Sequence, residues 1–406
     1  MSRLPCHRAH TMHARSAYDE VVEVSRYLLT AIGRRQATSL AEAQAAAYVD
    51  GRLRRAGMRV NADTFQAPIN MGLLYPLLAL LALGTGLLAH WLPLPASLFA
   101  LWLLLVALSD GLIPLPPLLT IRRDCQNIIG TRASEQRPRW RVVLLAPLDS
   151  APDRTIRNSW IAGQRMAVLG RSIALGLLAL LASLHAIRPH ENWSYAQALP
   201  LSYLLVTHLL LPVRIGTAPG GAGALAVLLA AAERLNALRT VELWTIALGA
   251  TATGNTGLYN LLQRYPFPRS ETLFLNLESL DRGQLTYAAR EGVLHVRRAD
   301  PLLIRLAATI GAADPQINVE PRSYHTAPSI AAPLQRQGYR VLTFLTYVPA
   351  DTDLALDTPL AQIDPQVLEQ ATRLVVSIVQ HLDTEPLTRL TPALSGRPAR
   401  KRAGFA

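Results

Sequence analysis

Between Asp63 and Asp110 the chain carries no Asp, Glu, Lys or Arg. A helix needs about 20 apolar residues to cross a bilayer, and this stretch is long enough for two. The Pro93-Leu94-Pro95 turn divides them, so spans are expected near Gly72–Leu92 and Ala96–Leu115. Trp91 and Trp102 suit the interfaces. A second pair is expected near Met166–Ile187, shortened by Arg171, and near Trp193–Val213, between Glu191 and Arg214. Core helices of soluble proteins seldom run so long without charge, so the pattern predicts four spans in two hairpins. Gly84, Gly86, Gly170 and Gly176 are small enough to let the two hairpins pack as one four-helix unit.

Composition agrees with this division. Charged residues make up 17% of the chain, against about 25% in ordinary soluble domains, and mean hydropathy is +0.20. A disordered chain is excluded. The net charge is +12, and Lys401 is the only lysine. The arginines are scattered and not interleaved with aromatics, so no nucleic-acid partner is expected. Cys6 and Cys125 stand too far apart to suggest a disulfide framework or a thiolate metal site. Met1 to Glu20 lacks the apolar run of a secretory signal, and the N-terminus is expected to stay on the side where it was made. Each hairpin returns the chain to that side. Residues 1–65, 118–165 and 214–394 should then form one domain, interrupted by hairpins at 70–117 and 166–213. The basic segment 395–406 is expected to be a disordered tail. Arg122, Arg123, Arg154, Arg157, Arg165 and Arg214 flank the spans on the domain side, against Arg188 on the other. The positive-inside rule places the domain in the cytoplasm of a multi-pass cell-membrane protein.

The three domain pieces alternate helix and strand patterns. Helical periodicity covers Glu20–Met58, Ala222–Leu238, Gly257–Arg264, Pro301–Ala312 and Pro365–Leu382. Strands are expected at Met58–Phe65, Asn127–Thr131, Trp140–Leu145, Val241–Leu248, Leu273–Leu277 and Tyr339–Leu345, with a hairpin of Leu285–Ala289 and Val293–Val296 around Glu291-Gly292. This predicts an α/β fold with a mostly parallel sheet covered on both faces.

Taken in order, several segments resemble the dizinc aminopeptidases of the leucyl-aminopeptidase and aminopeptidase-Y type. These are Ile32-Gly33-Arg34-Arg35 with Ser39 and Glu42, Tyr48-Val49-Asp50, Gly57-Met58-Arg59-Val60, Gln126 to Thr131, Val142 to Ser150, Leu273 to Gly283, and Pro333 to Tyr339. The resemblance covers most of the non-membrane chain and implies a zinc-exopeptidase-like domain. It also implies five metal ligands and a glutamate base around two zinc ions that polarise a carbonyl and activate water.

The residues at the corresponding positions lack that chemistry. The ligand His of the family's His-x-Asp falls on Pro147, and its Asp, which orients the His, on Asp149. The bridging Asp falls on Gly220. The Glu-Glu pair of base and ligand falls on Thr251 and Ala252. One carboxylate ligand is kept as Glu278, and the last His falls on Ala331. His325 is the nearest histidine to that last position. Neither a catalytic residue nor a metal or other cofactor is therefore expected, with Asp149 and Glu278 as remnants.

Other signals are weak. Gly220-Gly221-Ala222-Gly223 has no following Gly-Lys-Ser/Thr and reads as a tight turn into a helix. Ser150 has no Gly-x-Ser-x-Gly elbow. His190, Glu191 and Asp110 sit at expected span ends. Asp281 and Arg282 suggest a salt-bridged turn. The reading that results is a membrane protein whose aminopeptidase-like domain binds a peptide, lipid or partner protein without catalysis. Two alternatives stand beside it. One is an active membrane-anchored zinc aminopeptidase, the other a transporter or lipid-handling protein. The scarcity of intramembrane charge weighs against an ion path.

Overall fold

Apolar runs with period two or with continuous burial become strands, and 3.6-period runs between them become helices. A computed structural model describes residues 20–69, 74–108, 121–150, 164–188, 193–214, 221–292, 295–324, 330–348 and 363–384. Residues 20–27 are helical and run into a π turn, Leu28–Ile32. Then come α1 (Leu40–Arg55), β1 (Arg59–Pro68), α2 (Leu74–Leu88), α3 (Pro93–Leu108), β2 (Arg122–Arg132) and β3 (Trp140–Pro147). α4 (Gln164–Ile187), α5 (Trp193–Arg214), α6 (Ala222–Arg234), β4 (Val241–Leu248) and α7 (Thr256–Arg264) follow. The chain continues through β5 (Thr272–Leu277), β6 (Gln284–Glu291), β7 (Arg297–Arg298), α8 (Pro301–Ala313), β8 (Glu320–Tyr324), α9 (Ala331–Arg336), β9 (Arg340–Tyr347) and α10 (Pro365–Thr384).

The strands form one sheet in the order β1-β2-β4-β3-β5-β9-β6-β7, with β8 against β6. Only β4, β3, β5 and β9 form a continuous parallel block. β1, β2, β6 and β7 join by antiparallel ladders. The expected mostly parallel sheet is therefore corrected to a mixed one. The parallel block is where helices cover both faces and strands are buried throughout, as in Thr272–Leu277, buried at every position. Towards the edges that demand relaxes. After β6 the second described strand is Arg297–Arg298; His295 and Val296 are not in a strand, and Val293 and Leu294 of the expected hairpin lie outside the described residues. β8 was not legible in sequence, because Glu320-Pro321-Arg322-Ser323-Tyr324 is polar and exposed.

One face of the sheet carries residues 20–32 with α1, α6, α8 and α10 over a large core, and the other carries α7 and α9 over a smaller one. α6 is apolar on every side and nearly all buried, packed between β3, α1 and α10. Gly223 sits where a Cβ would strike the Leu280 carbonyl and the Leu368 side chain, so the close helix approach excludes any larger residue.

β1 and β2 run on past the carboxyl ends of the central strands. Their ladder continues from Ala62–Ile128, level with Ala247 of β4, to Pro68–Arg122. That is an arm of about 20 Å at about 3.3 Å per residue. The α2–α3 pair is inserted at its tip, and the α4–α5 pair between β3 and α6. Both insertions thus leave from the carboxyl edge of the sheet.

The four inserted helices pack together. Ala82, Ala100, Leu103, Ala174, Leu178, Ala179, Ala182 and Leu204 form their common core. Among the described residues only one of them, over Leu169–Ile187, is long and apolar enough to cross a membrane. The expectation of four such helices is corrected on length and on polarity. α2 and α3 have 15 and 16 residues, about 22–24 Å at 1.5 Å per residue, against about 30 Å of hydrocarbon. α5 has 22 residues but interleaves Gln197, Pro200, Ser202 and Thr207. The glycines divide as well. A Cβ on Gly86 would come within 2.5 Å of Leu201, and one on Gly170 would collide with the Tyr203 ring. Gly84 faces open space, and Gly176 has Leu104 no nearer than 4.0 Å. Gly86→Leu should therefore overpack the unit at a cost of about 1–3 kcal/mol, while Gly84→Leu leaves thermal stability in detergent unchanged. Equal melting of the two variants would contradict this packing.

Candidate functional site at the carboxyl edge of the sheet

β3, β4 and β5 end side by side, so the loops after Pro147, Leu248 and Leu277 meet. This crevice is where open α/β sheets hold ligands. Pro147 closes β3 opposite Leu248. Two residues on, Asp149 is 1% exposed. Its carboxylate accepts from the Thr251 hydroxyl and, at 2.6 Å, from the Ala252 N–H. Burial raises its pKa, against the pull of those donors. Ala252 itself is exposed. Glu278 accepts from the Ile330 N–H at 2.9 Å and from the Asn276 amide at 3.0 Å. Ala331 is fully buried in the first turn of α9.

The structure thus brings Pro147, Asp149, Thr251 and Ala252 together, with Glu278 and Ala331 on the adjoining loops. Gly220, His325, Ser329 and Asp110 lie outside the described residues, as do His190 and Glu191. Among the described residues, no three His, Cys, Asp or Glu side chains group closely enough to hold a metal ion.

Beneath these loops lies a charged knot whose partners are far apart in sequence. Arg35 is wholly buried. Its Nε donates to the Leu148 carbonyl at 2.8 Å, and its backbone N–H to Ser150 Oγ at 3.0 Å. Ser150 returns its N–H to the Arg35 carbonyl at 2.7 Å. The guanidinium charge faces Asp281, Asp149 and Glu42, while burial lowers its pKa. Asp281 accepts from the N–H groups of Gly221 and Gly223, each at 2.9 Å, and so holds the first turn of α6. It caps this helix from a buried position. Gly221, with φ of 75°, makes the turn. The Gly-rich segment is a tight helix start, as expected.

Glu42 closes the knot. With Ser39 it forms a capping box at the start of α1: Ser39 Oγ accepts from the Glu42 N–H. The Glu42 carboxylate takes the Thr38 N–H at 2.6 Å and, across the crevice, the Ala250 N–H at 2.8 Å. The Cys125 thiol lies 3.4 Å away, buried, its pKa raised by burial and by Glu42. Burial first, then the Asp149 charge, pushes Glu42 itself up to about 7. Arg35 and Glu42 stood among the residues of the resemblance without a role. The Ser-x-x-Glu spacing was the available signal for Glu42; nothing local marks Arg35 for burial.

The backbone here is strained. The four non-glycine residues with positive φ among the described residues are Thr38, Ala250, Asn255 and Ser279. All lie in loops that carry or adjoin the knot. Such residues cost of order 1–3 kcal/mol each and persist where surroundings force them.

Solved structures share the fold. A zinc aminopeptidase from Bacillus subtilis matches with a TM-score of 0.52 at 13% identity, over 91% of this chain and 95% of that one. An aminopeptidase from Aneurinibacillus sp. strain AM-1 gives 0.53 at 12% identity, over 91% and 94%. The fold is that of the zinc aminopeptidases. A glutaminyl cyclase from an Acidobacteriales bacterium matches at 0.50 and 13% identity, over 90% and 94%. One fold therefore carries more than one named activity, and the likeness fixes the fold alone. No protein-family profile matches the chain, and no curated protein matches it in sequence.

Two outcomes follow from the knot. Arg35→Met leaves buried carboxylates without their cation and should cost about 3–5 kcal/mol of stability, read by denaturant unfolding. Glu42 sets a pH dependence. Its pKa is raised on folding, so its contribution is full below about pH 4.5 and lost as pH rises through about 7. Stability should fall between those values, and Glu42→Gln should flatten that slope.

Proposed function

We propose that this is a multi-pass membrane protein whose aminopeptidase-fold domain has lost its zinc pair and works by binding a peptide or protein partner at the membrane. The observation that carries the reading is the fate of the two surviving carboxylates. Asp149 and Glu278 spend their oxygens on N–H and O–H donors of neighbouring loops. A zinc ion needs about four well-placed donors. Pro147, Thr251, Ala252 and Ala331 offer no carboxylate or imidazole, and the same holds for Gly220 by residue type. The residues present do not fit a dizinc centre, and no hydrolytic step is derived through one.

The membrane part of the reading rests on α4 and on the outer face of the four-helix unit. Leu80, Leu87, Trp91, Leu98, Leu105 and Ile173 are exposed there. A surface of this size and character needs an apolar surrounding. The arginines flanking the inserted segments favour a cytoplasmic domain. The strained loops of the carboxyl edge are the natural docking place, since such positions cluster at binding sites.

Protein purified without chelators should carry no stoichiometric zinc and should not turn over a chromogenic leucine substrate. Ala252→Glu alone should stay inactive, because the other donors remain absent. One zinc or more per chain, or turnover that a chelator stops, would overturn the loss of the metal site. For topology, Cys125 is buried and a poor reporter. Glu135 lies in an exposed loop between β2 and β3. Glu135→Cys, with Cys6→Ser, should resist a membrane-impermeant thiol reagent in intact cells and react after lysis. Labelling in intact cells would place the domain outside.

A further inference from the structure

The helix of residues 20–27 is held to the domain at one end by three charges. Glu20 of that helix and Glu233 at the end of α6 both accept from Arg52 Nη2 of α1, at 2.5 and 2.8 Å, and Arg52 Nε reaches Glu233 again at 3.1 Å. Two carboxylates share one guanidinium. The neighbouring charges are engaged elsewhere or offset one another. Arg234 pairs with Glu369 of α10 at 2.7 Å, and Arg373 with the same Glu369 at 2.9 Å. Arg132 of β2 donates to the carbonyls of Ala56, Ala232 and Leu235. Around Tyr48, one turn before Arg52, Glu23 and Arg55 bear opposite signs. With both carboxylates ionised, one cation faces two anions, and a proton between them removes the repulsion. Burial first, then the hydrogen bond with Glu20, pushes Glu233 up to about 7, against the pull of Arg52.

The far end of the same helix has the form of a hinge. It runs into the π turn Leu28–Ile32, which stops at Gly33 with φ of 75°. Such turns are rare and concentrate at functional positions, and hinges are a few element-terminal residues that absorb a change of φ and ψ. The seam between this segment and α1 holds an open pocket of about 450 Å³, lined by Tyr27, Ala31, Ile32, Gln44, Ala47 and Tyr48. Tyr27 and Tyr48 stack across the seam at 4.5 Å. On the inner side, Val21, Val24 and Leu28 are buried in the main core. The Leu28 carbonyl accepts from Arg35 Nη1 at 3.4 Å, so the hinge leads into the knot.

We propose that Glu20, Arg52 and Glu233 form a proton-operated latch on the N-terminal helix. With a proton on Glu233 the helix is held; when the proton leaves, Glu20 and Glu233 repel each other and the helix opens about the π turn more often. The sign follows from the direction of the shift. Docking raises Glu233 from its ordinary 4.5, so the latch is at full strength below about pH 4.5, weakens as pH rises through about 7, and is level above that.

The test reads the opening on the full chain in detergent, with Cys6→Ser. Val24→Cys places a thiol under the helix, and its rate of reaction with 4,4′-dithiodipyridine is followed at about pH 5 and about pH 8, with and without Glu233→Gln. Thiol chemistry and the titration of Glu42 act alike on both proteins, so the ratio of their rates at each pH isolates the latch. That ratio, parent over Glu233→Gln, should rise about tenfold between the two pH values, less than the full shift allows because Glu20 is part-exposed. Val21→Cys should repeat the result. In a Glu20→Gln background the ratio should stay level. At Val341→Cys, on β9 in the smaller core, it should also stay level. An unchanged ratio at Val24→Cys and Val21→Cys, or a rise that survives Glu20→Gln, overturns the latch. An equal rise at Val341→Cys assigns the effect to the whole domain and overturns it as well. Neither zinc content nor the membrane reading enters these results.

Discussion

A buried arginine is expensive unless its charge and its N–H groups are all answered. Arg35 sits at the centre of this fold under that condition. It joins the π turn and capping box before α1, the end of β3, and, through Asp281, the start of α6. Arg35 lies 113 residues before Leu148, and two helix pairs are inserted among these segments. The knot fixes the geometry of the carboxyl-edge loops from below, whatever their own side chains do. The loss of ligand donors proposed above would leave that support untouched.

That separation explains how the fold of a metallopeptidase can persist around a crevice with so few donors. In the reading proposed here, Asp149 and Glu278 have exchanged a cation for backbone N–H partners. Each now ties two loops together: Asp149 joins the β3 end to the loop after β4, and Glu278 joins the β5 end to the start of α9. Charge-assisted bonds of this kind are about twice as strong as neutral ones. They also help hold Ala250 and Ser279 in left-handed conformations that neither residue favours. The strain survives because the surrounding bonds over-determine it.

Much of this architecture was legible. The central strands and α1, α6, α8 and α10 announce themselves by periodicity, and Gly220 to Gly223 by composition. The elements that escaped are those stabilised by neighbours instead of by their own pattern. β8 is polar and forms only because β6 offers an edge. Arg297–Arg298 is charged and pairs with β6 without an apolar pattern of its own. At the site, the sequence shows only that Pro147, Ala252 and Ala331 carry no carboxylate or imidazole. The knot could not be read there, since a lone arginine carries no mark of the three carboxylates that will surround it.

The four-helix unit shows where a length rule and a packing rule diverge. Among the described residues, α4 alone is long and apolar enough to cross a bilayer. By packing, α2, α3 and α4 place most of their described alanines inside, beside Leu103 and Leu178, and many large apolar residues outside. Ala82, Ala89, Ala96, Ala100, Ala179 and Ala182 are buried, as are Thr85, Ser97 and Gln197, while Trp91 is 73% and Ile173 62% exposed. A bundle in water sorts side chains the other way, because burying large apolar groups drives its assembly. In lipid that force between helices is absent, and small residues win the interface because they let backbones approach. Short helices can still lie within a bilayer, which thins locally at modest cost. The inversion therefore supports the membrane reading on grounds independent of span length, and it holds for α2 and α3, where length argues least.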